Sequence, residues 1–422
     1  MVAIDDILRH AIDVEASDIH LKVGAPPFLR RFGHLGPEET FPALSEDDIR
    51  DVIKQMTDEK QRDRLDNDRQ LDLGYGNDEM GRFRVNVYHQ RGELRVAMRS
   101  IPKNIRSLDQ LQLPKIVETL AKESRGLILV TGTTGSGKST TLASMIDLLN
   151  QTEALHMITV EDPIEYLHDD KLSIISQREV GVDVTSFAAG LKGALRQDPD
   201  VILVGEMRDL ETIETAIMSA ETGHLVMSTL HTLDAPETVT RVIQAFPDHQ
   251  REQIRVVLSS VLKGIISQRL VPRADGNGLV PAVEIMVSTG LVRDIIKDPQ
   301  RSPREITDAL AKGHVSYGTQ TFDQSLMSLY RKNLITYDEA LRQATNPDDF
   351  ALQVSGISST SDARWDDFDT EAGPRAGIGE AGDVGAGAAA GGGNAFGQPR
   401  PPAERPAAAK PPAAMPRLVK RF

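Results

Sequence analysis

Residues 126–149 read GLILVTGTTGSGKSTTLASMIDLL and join an apolar run, a glycine-rich loop and a stretch with helical spacing. Further apolar runs follow at 157–160 (MITV), 201–205 (VILVG) and 224–230 (HLVMSTL), separated by helical stretches. Strands that are apolar throughout and alternate with helices are typical of a parallel sheet covered on both faces. The sequence therefore predicts an α/β core over 106–356. Its last part, 284–356, is predicted to be helical.

The loop at 132–139 matches G-x-x-x-x-G-K-[ST] at every defined position and stands between a strand and a helix, as a phosphate-binding P-loop requires. Backbone N–H groups and the helix N-terminus suit phosphate oxygens. Lys138 is expected to reach the β- and γ-phosphates, and Ser139 to ligate Mg²⁺. The predicted nucleotide-binding residues of this loop are Gly132, Thr133, Thr134, Gly135, Ser136, Gly137, Lys138, Ser139 and Thr140.

Acidic residues at two strand ends are candidates for ordering the metal and positioning the attacking water, which P-loop enzymes need. Glu206 follows the strand at 201–205 and Glu161 follows the strand at 157–160. Both would lie at carboxyl ends of parallel strands, where such sheets bind ligands. The alternative, that these acids cap the next helix, is credible for Asp162 before Pro163 and less so for Glu206.

Two histidines, His224 and His231, bracket the apolar strand at 225–230. A lone histidine is usually structural, and without an H-E-x-x-H motif or any cysteine a histidine-based metal site is not expected. As a pair on a strand beside a P-loop, the two could instead contact the γ-phosphate. Both interpretations stay open at the level of the residues.

Residues 1–105 have the pattern of a small α+β domain. Helical spacing at 4–12 and a Ser45/Asp48 capping box predict two helices. At 81–101 apolar and polar residues alternate on both sides of a turn, which predicts a hairpin with one apolar face. The other face would be either a solvated surface or an anion-binding surface suited to phosphate. It would carry Arg82, Arg84, Arg95 and Arg99.

Composition excludes several functional classes. The 422 residues include 48 Lys+Arg, 62 Asp+Glu and no cysteine, for a net charge of −14. Zero cysteine excludes disulfide scaffolds, cysteine-based zinc modules and a cysteine nucleophile. The acidic total disfavours nucleic acid as a partner. Acidic residues in the N-terminal apolar stretch disfavour a signal peptide, and no run approaches the ~20 apolar residues of a membrane span, so we expect at most peripheral membrane contact.

The segment 357–422 differs in composition from the rest. It is rich in Ala, Gly and Pro and is predicted to be disordered, because it cannot bury enough apolar surface to offset its ordering entropy. Acidic residues come first in it and basic residues last. A solvated linker is one interpretation, and a basic tip that contacts anionic lipid or the acidic body is the other.

Motifs spread over residues 3–356 resemble the secretion ATPases of type II secretion and type IV pilus systems, and among them the PilT-like pilus retraction ATPases. The matching segments are ASDIH (16–20), GAPP (24–27), GRFRVN (81–86), the Walker A loop (132–139), an Asp box ITVEDPIE (158–165), a Walker B segment LRQDPDVILVGE (195–206), a His box GHLVMSTLHT (223–232) and TFDQ (321–324).

The resemblance implies a PAS-like N-terminal domain, a RecA-like ATPase core and a homohexamer that hydrolyses ATP with Mg²⁺. It implies that Glu206 is the Walker B catalytic acid, that Glu161 is the Asp-box acid that helps polarise water or hold magnesium, and that His224 and His231 are the His-box pair. One or more of the four hairpin arginines would approach the phosphates, some across a subunit boundary.

The implied function is to power type IV pilus retraction, and thus twitching motility, at the cytoplasmic face of the inner membrane. Implied partners are the inner-membrane pilus platform protein and other pilus motor ATPases. Assembly-type relatives usually carry a tetracysteine zinc module and a longer N-terminal extension, so the absence of cysteine favours retraction. The segment LVRDIIKD (291–298) matches the family's short helical motif only in part, which leaves open a PilU-like accessory role or a specialised paralogue. A secretion or assembly ATPase is a separate alternative.

Overall fold

A computed structural model describes residues 3–31, 34–77, 80–101 and 104–355. The prediction for the segment 357–422 lies outside these residues. Among the helices of the described residues, none is both long and apolar enough to cross a membrane.

The N-terminal part contains three helices and an antiparallel sheet of six strands in the order β3-β2-β1-β6-β5-β4. Its helices are α1 (Ile4–Asp13), α2 (Glu46–Met56) and α3 (Glu59–Asp68). Its strands are β1 (Asp18–Lys22), β2 (Phe28–Arg31), β3 (His34–Pro37), β4 (Gln70–Asn77), β5 (Gly81–Gln90) and β6 (Glu93–Ile101).

One face of this sheet packs on α1 and α2 and forms a separate hydrophobic core. Phe83, Val85 and Val87 of β5 are fully buried in it, whereas Arg84 between them is exposed. The expected capping box also starts α2, because the Ser45 side chain accepts from the Asp48 N–H and the Asp48 carboxylate accepts from the Ser45 N–H. The predicted hairpin with an apolar and an arginine-bearing face is therefore confirmed.

A second sheet has seven strands in the order β13-β12-β7-β11-β10-β8-β9, parallel except for the β12–β13 pair. Its strands are β7 (Gly126–Thr131), β8 (His156–Glu161), β9 (Ile174–Glu179), β10 (Val201–Val204), β11 (Leu225–Leu230), β12 (Leu262–Pro272) and β13 (Leu279–Val287). The helices up to β12 are α4 (Ile116–Ala121), α5 (Lys138–Thr152), α6 (Phe187–Ala194), α7 (Leu210–Glu221), α8 (Ala235–Gln244) and α9 (Arg251–Val261), with a 3-10 turn at Asp248–Gln250.

Helices cover both faces of this sheet, as the apolar runs predicted. Leu127 and Leu129 of β7 face one core, with α6 to α9, while Ile128 and Val130 face another, with α4 and α5. Because β7 is central and buried along its whole length, the loop that follows it is held at a fixed position at the carboxyl edge of the sheet.

The C-terminal part corrects one prediction. Residues 284–287 belong to β13 and are not helical, because β12 and β13 form a long antiparallel hairpin. Helices follow it, in partial agreement with the expectation, and some pack on the far end of the hairpin in a fourth core that includes Phe322 and Phe350. They are α10 (Gly290–Lys297), α11 (Glu305–Lys312), α12 (His314–Tyr317), α13 (Phe322–Arg331), α14 (Tyr337–Gln343) and α15 (Pro347–Val354). The division into domains at residues 105 and 106 stays a prediction.

Candidate active site

The loop at 132–139 joins β7 to α5 at the carboxyl edge of the second sheet. Gly132 has a φ of 140°, and a Cβ there would lie 2.4 Å from the carbonyl oxygen of Gln268 on β12. Gly137, with a φ of 91°, precedes the first residue of α5. Both positions need glycine, because the backbone conformation is left-handed and at Gly132 another backbone approaches closely. The loop geometry that the sequence motif predicts is thus present.

Lys138 begins α5 and folds back over the loop. Its Nζ donates to the carbonyl oxygens of Gly132 at 2.9 Å and Thr133 at 3.0 Å. Burial lowers the pKa of Lys138, while the carboxylates of Glu206 and Glu165 act in the opposite direction. The partly desolvated ammonium group of Lys138 is suited to bind a polyanion. The two carboxylates near it are suited to a cation that arrives together with that polyanion.

The loop opens into a cleft of about 630 Å³ that is shared by the two halves of the described chain. The first sheet supplies Arg84 and Arg99, the start of α5 supplies Lys138, and the second sheet supplies the ends of β8, β10 and β11. Of the residues predicted for the site, this cleft is lined by Arg84, Arg99, Thr134, Gly135, Gly137, Lys138, Ser139, Thr140, Glu161, Glu206 and His231.

Glu206 follows β10 after Gly205 and is held on both sides. Its Oε1 lies 3.1 Å from Nε2 of His231, which follows β11, and its Oε2 accepts from Nε of Arg208 at 2.7 Å. β10 and β11 are neighbouring parallel strands in register, so their carboxyl ends place the two side chains together. Glu206 is 17% exposed and His231 48%, so the carboxylate is the more sheltered member of the pair.

Glu161, the last residue of β8, is fixed by its neighbours. Its Oε1 accepts from Oγ1 of Thr159 at 2.6 Å and from Nε2 of Gln177 at 3.2 Å, and its Oε2 accepts from the Glu165 N–H at 3.3 Å. Burial raises the pKa of Glu161 in spite of these hydrogen bonds. A carboxyl group with a raised pKa in a cleft is a candidate for accepting or donating a proton.

His224 is not brought to this cleft within the chain. It stands before the first residue of β11, and its Nδ1 lies 2.9 Å from the carbonyl oxygen of Ser219 at the end of α7. The six residues of β11 lie between His224 and His231, which separates the two histidines by on the order of 20 Å. Of the two open interpretations, joint contact of both histidines with one γ-phosphate does not fit a single chain, because the histidines lie at opposite ends of β11.

The four hairpin arginines have different surroundings. Arg84 on β5 and Arg99 on β6 are direct cross-strand partners and both line the cleft. Arg82 donates instead to Glu179 on β9, a carboxylate that is 5% exposed, and so joins the two halves of the molecule. Arg95 lies further along the same face, in register with Lys22 and Tyr88.

Sequence reasoning did not identify several residues of the cleft. Tyr166 lines it and its hydroxyl lies 2.8 Å from Oγ1 of Thr140 on α5. Gln177 and Thr159 orient Glu161 from β9 and from β8 itself. Thr159 could have been identified because it is a polar residue in the otherwise apolar run MITV. No local pattern distinguishes Gln177.

The donor set suits a magnesium ion that is shared with phosphate. Within the described ranges, no group of three or more His, Asp or Glu residues could hold a metal on its own. Mg²⁺ usually keeps several waters and takes only one or two protein ligands together with substrate phosphates. Ser139 and Glu206, which line the same cleft, could supply such ligands.

Comparison with known proteins identifies the family. Residues 1–279, more than half of the chain, match the model of the family described as Type II/IV secretion system protein. The chain belongs to this family. This confirms the resemblance drawn from the Walker, Asp-box and His-box segments.

Individual members of the type II/IV secretion family match over most of their length. The type IV pilus retraction ATPase PilT of Pseudomonas aeruginosa is 40% identical over 82% of this chain and 99% of its own. The type IV pilus ATPase PilU of the same organism is 38% identical over 85% of this chain and 93% of its own. A crystal structure of the pilus retraction motor PilT with bound ADP superposes with a TM-score of 0.76 at 46% identity, covering 82% of this chain and 98% of that one.

The predicted fold class, a mixed α/β chain with an N-terminal domain followed by an ATPase core, is confirmed by this structural match.

Proposed function

We propose that the chain is a Mg²⁺-dependent ATPase that powers retraction of type IV pili. The observation that carries the proposal is the cleft itself, where the P-loop lysine, the Glu206–His231 pair and two arginines from the other half of the chain converge. The match to PilT over nearly its whole length supports the biological setting. The protein is further proposed to act as a homohexamer at the cytoplasmic face of the inner membrane, with the pilus platform protein as partner.

Phosphate binding follows from the loop. Lys138 exchanges its hydrogen bonds to Gly132 and Thr133 for phosphate oxygens of ATP, and the N-terminus of α5 adds positive potential for the same anion. Arg84 and Arg99 add positive charge from the opposite wall. Ser139 and Glu206 would hold a Mg²⁺ ion that is bound with the substrate, and this ion would supply positive charge next to the transferred phosphoryl group.

Water activation is assigned to the carboxylates. Glu206, with Oε1 against His231 and Oε2 against Arg208, is held in one orientation at the cleft and can orient the attacking water and receive its proton. Glu161, with its raised pKa, is proposed to assist by holding the attacking water.

Mechanical work requires that phosphate release changes contacts between the two halves. Only groups that interact differently with ATP and ADP can bias such a motion. Arg84 and Arg99 belong to the first sheet and Lys138 to α5, which packs on the second sheet, so the γ-phosphate would hold the halves together and its loss would release them. The cleft therefore serves both as a catalytic site and as the point where the motion starts.

Two alternatives have specific support. The match to PilU over 93% of that protein makes an accessory retraction ATPase the second candidate, and the family match includes secretion proteins, so a secretion or assembly ATPase is the third.

Pilus counts separate these functions in a strain whose chromosomal gene carries Glu206→Gln. A retraction motor predicts more surface pili and no twitching, whereas an assembly ATPase predicts the loss of pili. Unchanged pilus number and only weakened motility would favour the accessory role over the proposal.

A further inference from the structure

Asp18 stands at the edge of the site without lining the cleft. It is the first residue of β1, which lies between β2 and β6 in the first sheet. Its register partners are Arg30 on β2 and Arg99 on β6, and the next residue across is Arg84 on β5. A single acidic residue is thus set in a row with three arginines on the polar face of the sheet.

The contacts of Asp18 are specific. Its Oδ1 accepts from Nε of Arg99 at 2.9 Å, and Oγ of Ser17 donates to its Oδ2 at 2.8 Å. Nε of Arg30 lies 3.6 Å from Oδ2. Burial by itself would raise the pKa of Asp18, but the hydrogen bonds from Ser17 and Arg99, together with the charges of Arg99 and Arg30, hold the pKa below its ordinary value. The carboxylate is therefore charged and fixed from two sides.

Arg99 needs such a support more than Arg84 does, because Arg84 also lies 3.9 Å from Oε1 of Glu165 in the cleft. The Arg99 side chain is 73% exposed, against 47% for Arg84, and the two like charges lie directly across the strands from each other. Like charges in opposite positions repel, and a long exposed side chain has many rotamers. The bond to Asp18 uses the Nε–H of Arg99, which is one of several N–H donors of a guanidinium group, and so leaves others for a phosphate.

We propose that Asp18 is a positioning residue that holds the Arg99 guanidinium toward the nucleotide cleft through the Nε–Oδ1 bond. The inference rests on the proposed ATPase function and extends it to a residue outside the cleft. Asp18 balances one of two adjacent arginine charges and restricts the rotamers of Arg99, so the arginine is preorganised before phosphate arrives.

A double-mutant cycle on the full-length protein tests the proposal, with steady-state ATP hydrolysis as the readout. Arg99→Ala should raise KM for ATP by about tenfold, and Asp18→Asn should raise it by at least about threefold with a smaller change in kcat. The double variant should have the same KM for ATP as Arg99→Ala alone. Arg30→Ala is the matched control. Arg30 is the other arginine beside Asp18 and lies on the side away from the cleft, so its removal should leave KM unchanged.

Three outcomes would overturn the inference without contradicting the proposed ATPase function. They are an unchanged KM in Arg99→Ala, a change of KM in Asp18→Asn no larger than that in Arg30→Ala, and changes of KM that multiply in the double variant.

If circular dichroism shows that Asp18→Asn does not fold, Ser17→Ala decides. It removes the bond that fixes Oδ2 and should raise KM by about twofold, whereas an unchanged KM would contradict the proposal. Absence of hydrolysis in the unsubstituted protein would instead contradict the proposed function.

Discussion

The carboxylate of Glu206 and the imidazole of His231 lie 3.1 Å apart in the cleft, from Oε1 to Nε2, although they belong to separate segments of the sequence. The parallel register of β10 and β11 creates this pair, since the residues follow the carboxyl ends of neighbouring strands. A carboxylate that is oriented by an imidazole keeps one geometry toward a water molecule, which is what hydrolysis at a P-loop requires.

Substitution of His231 should therefore impair hydrolysis more than substitution of His224. We expect His231→Gln to lower kcat by roughly 10–100-fold, because an outer partner that orients a metal-ordering carboxylate typically has an effect of this size. His224→Gln should have a clearly smaller effect, since Nδ1 of His224 contacts the Ser219 carbonyl at the far end of β11. Phosphate release by both purified variants measures the difference, and equal losses of kcat would contradict the assignment.

The ion pair between Arg82 and Glu179 should matter for stability. Glu179 is 5% exposed and also accepts from the Ile164 N–H at 3.3 Å, so Arg82→Ala leaves a nearly buried carboxylate without its cationic partner. We expect a loss of unfolding free energy on the order of 3 kcal/mol in urea denaturation.

Arg82→Ala combined with Glu179→Gln is the control for this pair. Neutralising the carboxylate should recover part of the lost stability, because part of the loss in Arg82→Ala comes from the negative charge that is left unpaired on Glu179. If Arg82→Ala unfolds at the same urea concentration as the unsubstituted protein, the pair does not hold the two halves together.

Local patterns were sufficient to predict the parallel core and the arginine face. Apolar runs predicted β7, β8, β10 and β11, because strands buried on both faces leave little room for polar residues. The P-loop was predictable because its glycines are required by local backbone geometry, as at Gly132. Alternation over 81–101 likewise showed which arginines share a face.

Three features of the structure were not predicted, although two of them leave a local signal in the sequence. The β12–β13 hairpin was missed although Asp275-Gly276 between two apolar runs is a turn signal, and residues 284–287 were predicted to be helical. The pairing of Arg82 with Glu179 joins two parts of the chain that no local pattern connects. The separation of His224 from His231 could have been predicted, because residues at the two ends of one strand cannot meet.

Glu284 should make stability depend on pH. It lies on β13, its Oε1 accepts from the Ala235 N–H at 2.8 Å, and burial raises its pKa from an ordinary 4.5 to about 7. Between these two values the folded chain keeps a proton that the unfolded chain has lost, so this group lowers stability as pH rises from about 4.5 to 7. The loss amounts to roughly 3 kcal/mol when complete.

Glu284→Gln should remove this dependence, because the amide oxygen can still accept from Ala235 but does not ionise. The difference in unfolding free energy between the variant and the unsubstituted protein should grow in favour of the variant from pH 5 to pH 8. Urea denaturation at several pH values measures it, and other titrating groups cancel in the difference. A difference that stays constant over this range would show that Glu284 does not titrate there.

Release of inorganic phosphate from Mg-ATP by the purified protein tests the central claim most directly, with Glu206→Gln measured beside it. The structure predicts hydrolysis by the unsubstituted protein and a decrease of about 100-fold or more in the variant, in which the amide can no longer take a proton from water. No phosphate release by the unsubstituted protein, or equal rates for both proteins, would contradict the claim that this cleft hydrolyses ATP.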